Sequence, residues 1–375
     1  MDKRLFIILL VLLIAGMAGW FYYVSTQSDQ SQSIEKISVD WWGSAHADIT
    51  AEAFTHWNED DPAVVPTSCA KCHSGDGFLD FLGMDGSAPM QVDAPARIES
   101  VVNCNTCHNE AAHALTTADF PAGITLDLAK GDSICATCHS GTRAGNAVAS
   151  AAEGISDDEI IPDSAAVTPH YAFSAAVWLG DEVQGGFQYQ EKEYAGRFEH
   201  AEGAQTCTDC HDPHSLHMRE DYGEQADLCA ACHSNVVGYS DYREVFVSEI
   251  DYDGDGTVEG MYHEIEGMRA ILYTGLQRYA KGVVEQPIGW ADQFPYFFND
   301  NDGDGTLSEK ETVFPNAYSS LTPRLMRAAF NFQFSAKAPA GYVHNGKYIL
   351  QLLYDTAQDL SSVVSVDTST LVRPE

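Results

Sequence analysis

The chain has 375 residues, 55 of them acidic against 20 basic, for a formal net charge of −35. That length is room for one large domain or two ordinary ones. Such an excess of carboxylates excludes nucleic acid as a partner, because a phosphate backbone needs lysine and arginine opposite it. It suits a soluble surface that steers toward basic partners.

Residues 5–24 form an uninterrupted apolar run, preceded by Lys3 and Arg4 and ending in Trp20, Phe21, Tyr22 and Tyr23. The run is long enough to span a bilayer. Positive charge before it and aromatic residues at its far end predict an inside-to-outside orientation. Residues 1–24 are therefore expected to be a transmembrane anchor on the outer face of the cytoplasmic membrane, with the rest exported to the periplasm or cell exterior. A cleaved signal peptide, with Gly16-Met17-Ala18 as its processing site, is the competing reading and also exports the chain. Residues 25–40, rich in Ser and Gln, read as a flexible linker. Residues 49–57 have helical composition, with Ile49, Ala53, Phe54 and Trp57 on one face.

One five-residue pattern, Cys-x-x-Cys-His, then occurs five times and uses all ten cysteines. The cysteine pairs are Cys69 and Cys72, Cys104 and Cys107, Cys135 and Cys138, Cys207 and Cys210, and Cys229 and Cys232. The histidines are His73, His108, His139, His211 and His233. Two thiols at this spacing reach the two vinyl groups of one porphyrin, and the adjacent imidazole ligates iron from the proximal side. Zinc sites or disulfides would not require a histidine after every second cysteine. The pattern predicts five haem c groups. The motifs begin at positions 69, 104, 135, 207 and 229, so there is no fixed repeat. The expected architecture is mainly α with much irregular structure, residues 41–240 wrapping round a chain of haems. An insertion at 141–203 holds an acidic, Pro-containing loop at 156–165, a short helix at 172–179 and a strand or turn at Gly185 to Tyr189.

Residues 241–375 contain no cysteine after His233 and read as a helical calcium-binding region packed on the haem domain. Asp300, Asp302 and Asp304 supply carboxylates at loop positions one, three and five; Gly305 turns the chain, Thr306 offers a carbonyl and Glu311 closes at position twelve. Asp251, Asp253, Asp255 and Thr257 begin a second such loop, but its position twelve is Tyr262. That site is expected to be weaker unless Glu259 or Glu264 completes it. Residues 264–281 have helical spacing, with Ile265, Met268, Leu272, Leu276 and Tyr279 toward a core. Thr322-Pro323 caps a helix through Phe332, and residues 348–360 mark a final amphipathic helix.

Of fourteen histidines, nine lie outside the motifs, more than the five irons need. His46 and His56, before the first motif, can each supply a sixth ligand. The segments Pro169-His170-Tyr171, Phe198-Glu199-His200, Cys210-His211-Asp212-Pro213-His214 and Val343-His344-Asn345-Gly346 resemble exported multihaem cytochromes c related to the nitrite-reductase and octahaem groups. The opening Ser44-Ala45-His46-Ala47-Asp48 resembles a bacterial subgroup that also carries calcium loops. This resemblance implies distal ligation by histidine, pointing first to His170, His200 and His214, next to His344 and His46, then to His56. His113 and His217 are reserves, and His263, beside a calcium loop, comes last.

Nitrite reductases of this kind end one motif in lysine, whereas all five motifs here end in histidine. Enough spare imidazoles exist to fill every sixth position, which favours electron transfer over catalysis. The expected function is passage of single electrons from a membrane redox complex to an exported or extracellular acceptor, with redox partners that present basic docking surfaces. Two alternatives stand beside it: a haem oxidoreductase of nitrogen or sulfur oxyanions, and a homo-oligomer or filament of cytochrome subunits.

Overall fold

The structure, a computed structural model, describes residues 33–200, 205–218, 232–233, 239–246 and 248–375. The expected anchor at 1–24 and Cys229 lie outside these residues. Among the described residues no helix is long and apolar enough to cross a membrane. Residues 33–42 are helical where composition suggested a linker as far as residue 40. Within that helix Lys36 and Asp40 pair one turn apart at 2.8 Å, a spacing that supports a solvent-facing helix.

The described residues are mainly helical, joined by long irregular connections and three two-stranded antiparallel ribbons. They fall into two compact units. The first contains residues 33–112 and 208–218. In it, strand Val64–Val65 pairs with Ala96–Arg97 beside helices Thr67–His73 and Gly75–Phe81. One of its apolar clusters consists of Val65, Ala70 and Ala96, with Trp57, Cys69, Val92 and Ile98 packed on it. The helix expected at 49–57 shortens to Glu52–Thr55. The Asp48 carboxylate accepts from the Thr50 backbone N–H (2.9 Å) and hydroxyl (2.7 Å), holding the entry as a turn.

The second unit contains residues 113–207 and 232–375 of the described chain. Its centre is three helices, Met261–Tyr279, Pro323–Ala336 and Gly341–Ser361. The expected stripe of Ile265, Met268, Leu272, Leu276 and Tyr279 is fully buried among them. Thr322 caps as expected: its hydroxyl accepts from the Leu325 N–H at 3.1 Å, and Pro323 takes the first turn. Gly341–Ser361 kinks at Asn345, whose backbone is non-helical. The Asn345 side-chain oxygen accepts from the Tyr348 N–H (3.1 Å) and so starts the helix afresh.

The long insertion belongs to this unit. A Cβ at Gly186 would lie 2.3 Å from Leu352 Cδ1, so only glycine permits that approach. The N–H groups of Gly186 and Phe187 donate to Tyr348 Oη (3.1 Å) and Asn331 Oδ1 (2.8 Å), so this stretch is an irregular passage and not a strand. The short helix runs over Ser174–Leu179; Ala172, at φ 52°, is outside it. Helix Lys130–Cys138 of the third motif also lies here. Packing therefore divides the chain differently from a boundary near residue 240: the insertion follows the C-terminal helices that bury it.

Candidate haem and metal sites

Each described motif sits on one helical turn, which brings its two thiols to the same face. Three of the motif imidazoles are oriented in the same way. Nδ1 of His73 lies 2.8 Å from the Ala53 carbonyl, that of His139 2.8 Å from the Ala172 carbonyl, and that of His211 3.0 Å from the Leu216 carbonyl. A carbonyl only accepts, so in each case Nδ1 carries the proton and Nε2 keeps its lone pair for a metal. Two of the acceptors, Ala53 and Ala172, are main-chain atoms of segments brought in by the fold, and Leu216 lies in the same turn as His211. This is the donor set that haem c requires: paired thiols, and an imidazole whose outer nitrogen is already committed.

The first cysteines of the third and fourth motifs adjoin. The Cys207 N–H donates to Asp132 Oδ1 at 2.8 Å. The thiols of Cys135 and Cys207 hydrogen-bond each other, which lowers the first and raises the second. Two candidate haem attachment points thus adjoin.

The distal candidates separate. His214 stacks across from His108, with ring centres 6.2 Å apart and planes inclined by 12°. His200 faces His233 at 6.2 Å and 55°. His56 lies beside the first motif: its Nδ1 is 2.9 Å from Glu52 Oε1, and Trp57 stands between its ring and that of His73, at 4.9 and 5.3 Å. His46, His170 and His344 are half-buried; His170 has a left-handed backbone at φ 79° and its ring contacts Tyr171. His263 is engaged elsewhere, its Nε2 being 2.8 Å from Glu244 Oε1.

The two acidic loops share their principal amide-to-carboxylate bonds. Asp300 accepts from the N–H groups of Gly303 (2.8 Å) and Gly305 (2.9 Å), as Asp251 does from Gly254 (2.6 Å) and Gly256 (2.8 Å). Thr306 N–H donates to Asp304 at 2.8 Å, and Thr257 N–H to Asp255 at 2.7 Å. Glu311 closes its loop by accepting from Asn301 N–H (2.7 Å) and Ser308 N–H (2.9 Å), positions two and nine. In the other loop Glu264 accepts from Tyr252 N–H (2.7 Å) and Glu259 N–H (3.0 Å), again positions two and nine. Glu264, two residues late in sequence, thus occupies the place of Glu311.

Carboxylate oxygens of Asp251, Asp253 and Asp255 converge within 4.8 Å, as do those of Asp300, Asp302 and Glu311. Burial, with Glu264 and Asp255 nearby, pushes Asp253 up to about 6. A Cβ on Gly267 would fall 1.6 Å from Asp253 Oδ2, so this glycine makes room for the carboxylate. A third group, Asp80, Asp85 and Asp93, also converges, but Asp80 is turned toward its own loop, accepting from Asp93 N–H (3.2 Å) and Ala94 N–H (3.3 Å).

The motif chemistry and these geometries describe a multihaem c-type site, and the comparison with known proteins supports a multihaem cytochrome c. The chain is 25% identical to the C-type polyheme cytochrome OmcB of Geobacter sulfurreducens, over an alignment covering 82% of this chain and 46% of that protein. It is 24% identical to the C-type polyheme cytochrome OmcC of the same organism, covering 82% and 44%. The chain spans about half the length of the curated relatives it matches. No family model matches it, and no solved structure does.

Proposed function

We propose that this chain carries five haem c groups and passes single electrons from a membrane redox complex to an exported or extracellular acceptor, docking on basic partner surfaces. The observation that carries the reading is the recurrence of Cys-x-x-Cys-His with a motif imidazole whose Nδ1–H is held by a backbone carbonyl. Bound haem supplies an iron that changes oxidation state one electron at a time. The thiols fix each group covalently, and the carbonyl bonds to His73, His139 and His211 point Nε2 outward. The surrounding carboxylates favour the oxidised state and so lower the potentials. In the C-terminal region the loops at Asp251 and Asp300 bind calcium, with Glu264 and Glu311 as closing ligands; the cation offsets repulsion among the converging carboxylates.

An anaerobic reductive titration of the full-length chain tests the carrier reading. The expected result is uptake of five electrons per chain, with every iron low-spin before and after. A high-spin population that binds nitrite or hydroxylamine would contradict it.

A further inference from the structure

Resting on the haem reading above, we propose that His214 is the second axial ligand of the iron held by His108, and His200 that of the iron held by His233. Two imidazoles bonded to one metal from opposite sides stand about 6 Å apart centre to centre. Each nitrogen is about 2 Å from the metal and each ring centre about 1 Å behind its nitrogen. Rings in direct face-to-face contact would be closer, at about 3.5–4 Å. Both pairs stand at 6.2 Å, and each joins one motif histidine to one histidine outside the motifs.

The backbone fixes both outer ligands. Asp212 Oδ1 accepts from the N–H groups of His214 (3.0 Å) and Ser215 (2.9 Å), locking the turn that carries His214. Three residues earlier, His211 donates Nδ1–H to Leu216 within the same turn. One turn therefore presents two imidazoles to two different irons. Toward His200, Phe198 and Trp178 bond reciprocally: Phe198 N–H donates to the Trp178 carbonyl, and Trp178 Nε1 to the Phe198 carbonyl, both at 2.9 Å. This clasp anchors the segment on helix Ser174–Leu179 just before the ligand.

The inclinations distinguish the two irons. Imidazole planes 12° apart give a rhombic low-spin ferric signal in electron paramagnetic resonance. Planes 55° apart give a more anisotropic one at higher g.

The test is His214→Ala and His200→Ala in the full-length, haem-loaded chain, with His263→Ala, whose Nε2 is already held by Glu244, as control. Haem content by mass, low-temperature resonance spectra and the response to added imidazole are read for each. Haem content is expected to stay at the wild-type value. About one fifth of the iron should turn high-spin in each variant. His214→Ala should remove a rhombic signal and His200→Ala a high-g signal, with imidazole restoring low spin; the control should match wild type. Full haem content with unchanged spin state in either variant, or loss of the same signal from both, would overturn the pairing. Absence of haem from the wild-type chain would instead overturn the underlying haem reading.

Discussion

At the scale of single residues, a closing glutamate and a spent histidine make different predictions. Glu264 and Glu311 each accept from loop positions two and nine. Removing either charge by Glu→Gln should weaken calcium binding at its own loop by about tenfold or more, because affinity follows ligand charge. Isothermal titration calorimetry of each variant reads this, and two unchanged binding steps would refute the assignment. His263 already gives Nε2 to Glu244, a pair at the surface. His263→Ala should therefore leave the visible spectrum unchanged and cost no more than about 1 kcal/mol in urea unfolding.

Much of this was legible at the sequence level. The paired cysteines, their histidines and the Asp300 loop are local patterns with the spacing that the proposed haem and calcium would require. His200 and His214 were legible only as members of a pool. Their partners lie far along the chain, and nothing in a linear pattern records which histidine the fold brings opposite which. Glu264 was left open for a related reason: its loop is two residues longer than the standard one, and only the amide bonds to Tyr252 and Glu259 reveal that the extra length is absorbed before the closing carboxylate.

At the scale of elements, the acidic loop at 156–165 is held to the helices by a charged network. Arg324, only 8% exposed, donates from Nε to Asp158 (2.8 Å) and also bonds Asp359; Arg327 donates to Asp157 (2.8 Å) and Asp359 (3.0 Å). Replacing Arg324 takes a partner from the largely covered Asp359, whereas Asp157 and Asp158 stay solvated, so Arg324→Met should destabilise this unit by about 1–3 kcal/mol in urea unfolding. A loss below 1 kcal/mol would mean that the network is ornamental. Hydrogen bonds from Arg327 and Arg324 hold Asp157 and Asp158 below their ordinary values. Their folded values being depressed, the stability they contribute is present above about pH 4 and is lost as pH falls through the depressed range. Thermal unfolding followed from pH 6 to pH 2 should show wild type losing more than Arg324→Met. The helix that carries Arg324 was foreseeable from Thr322-Pro323, whereas its continuation to Ala336 rests on burial of Phe334 and Ser335 among distant segments.

Across the whole molecule, the proposed docking on basic surfaces makes a prediction about charge. With a net charge of −35, electron transfer to a basic acceptor protein should slow steeply as salt rises, and transfer to an acidic one should not. Stopped-flow rates against ionic strength decide it; salt-independent rates with the basic acceptor would remove the steering role. Division into units also acquires meaning here. The insertion and third motif share a core with helix Met261–Tyr279, which follows the Asp251 loop and whose Gln277 donates to the Gly305 carbonyl of the other, so withdrawal of the proposed calcium should lower the melting temperature of that unit.

The account depends most on ten thiols being joined to five porphyrins, and the mass of the mature, denatured polypeptide tests this directly. It predicts the mass of the chain plus five haem groups that survive acid extraction and reduction. A mass with no haem increment, or haem that washes away on acid extraction, would contradict it.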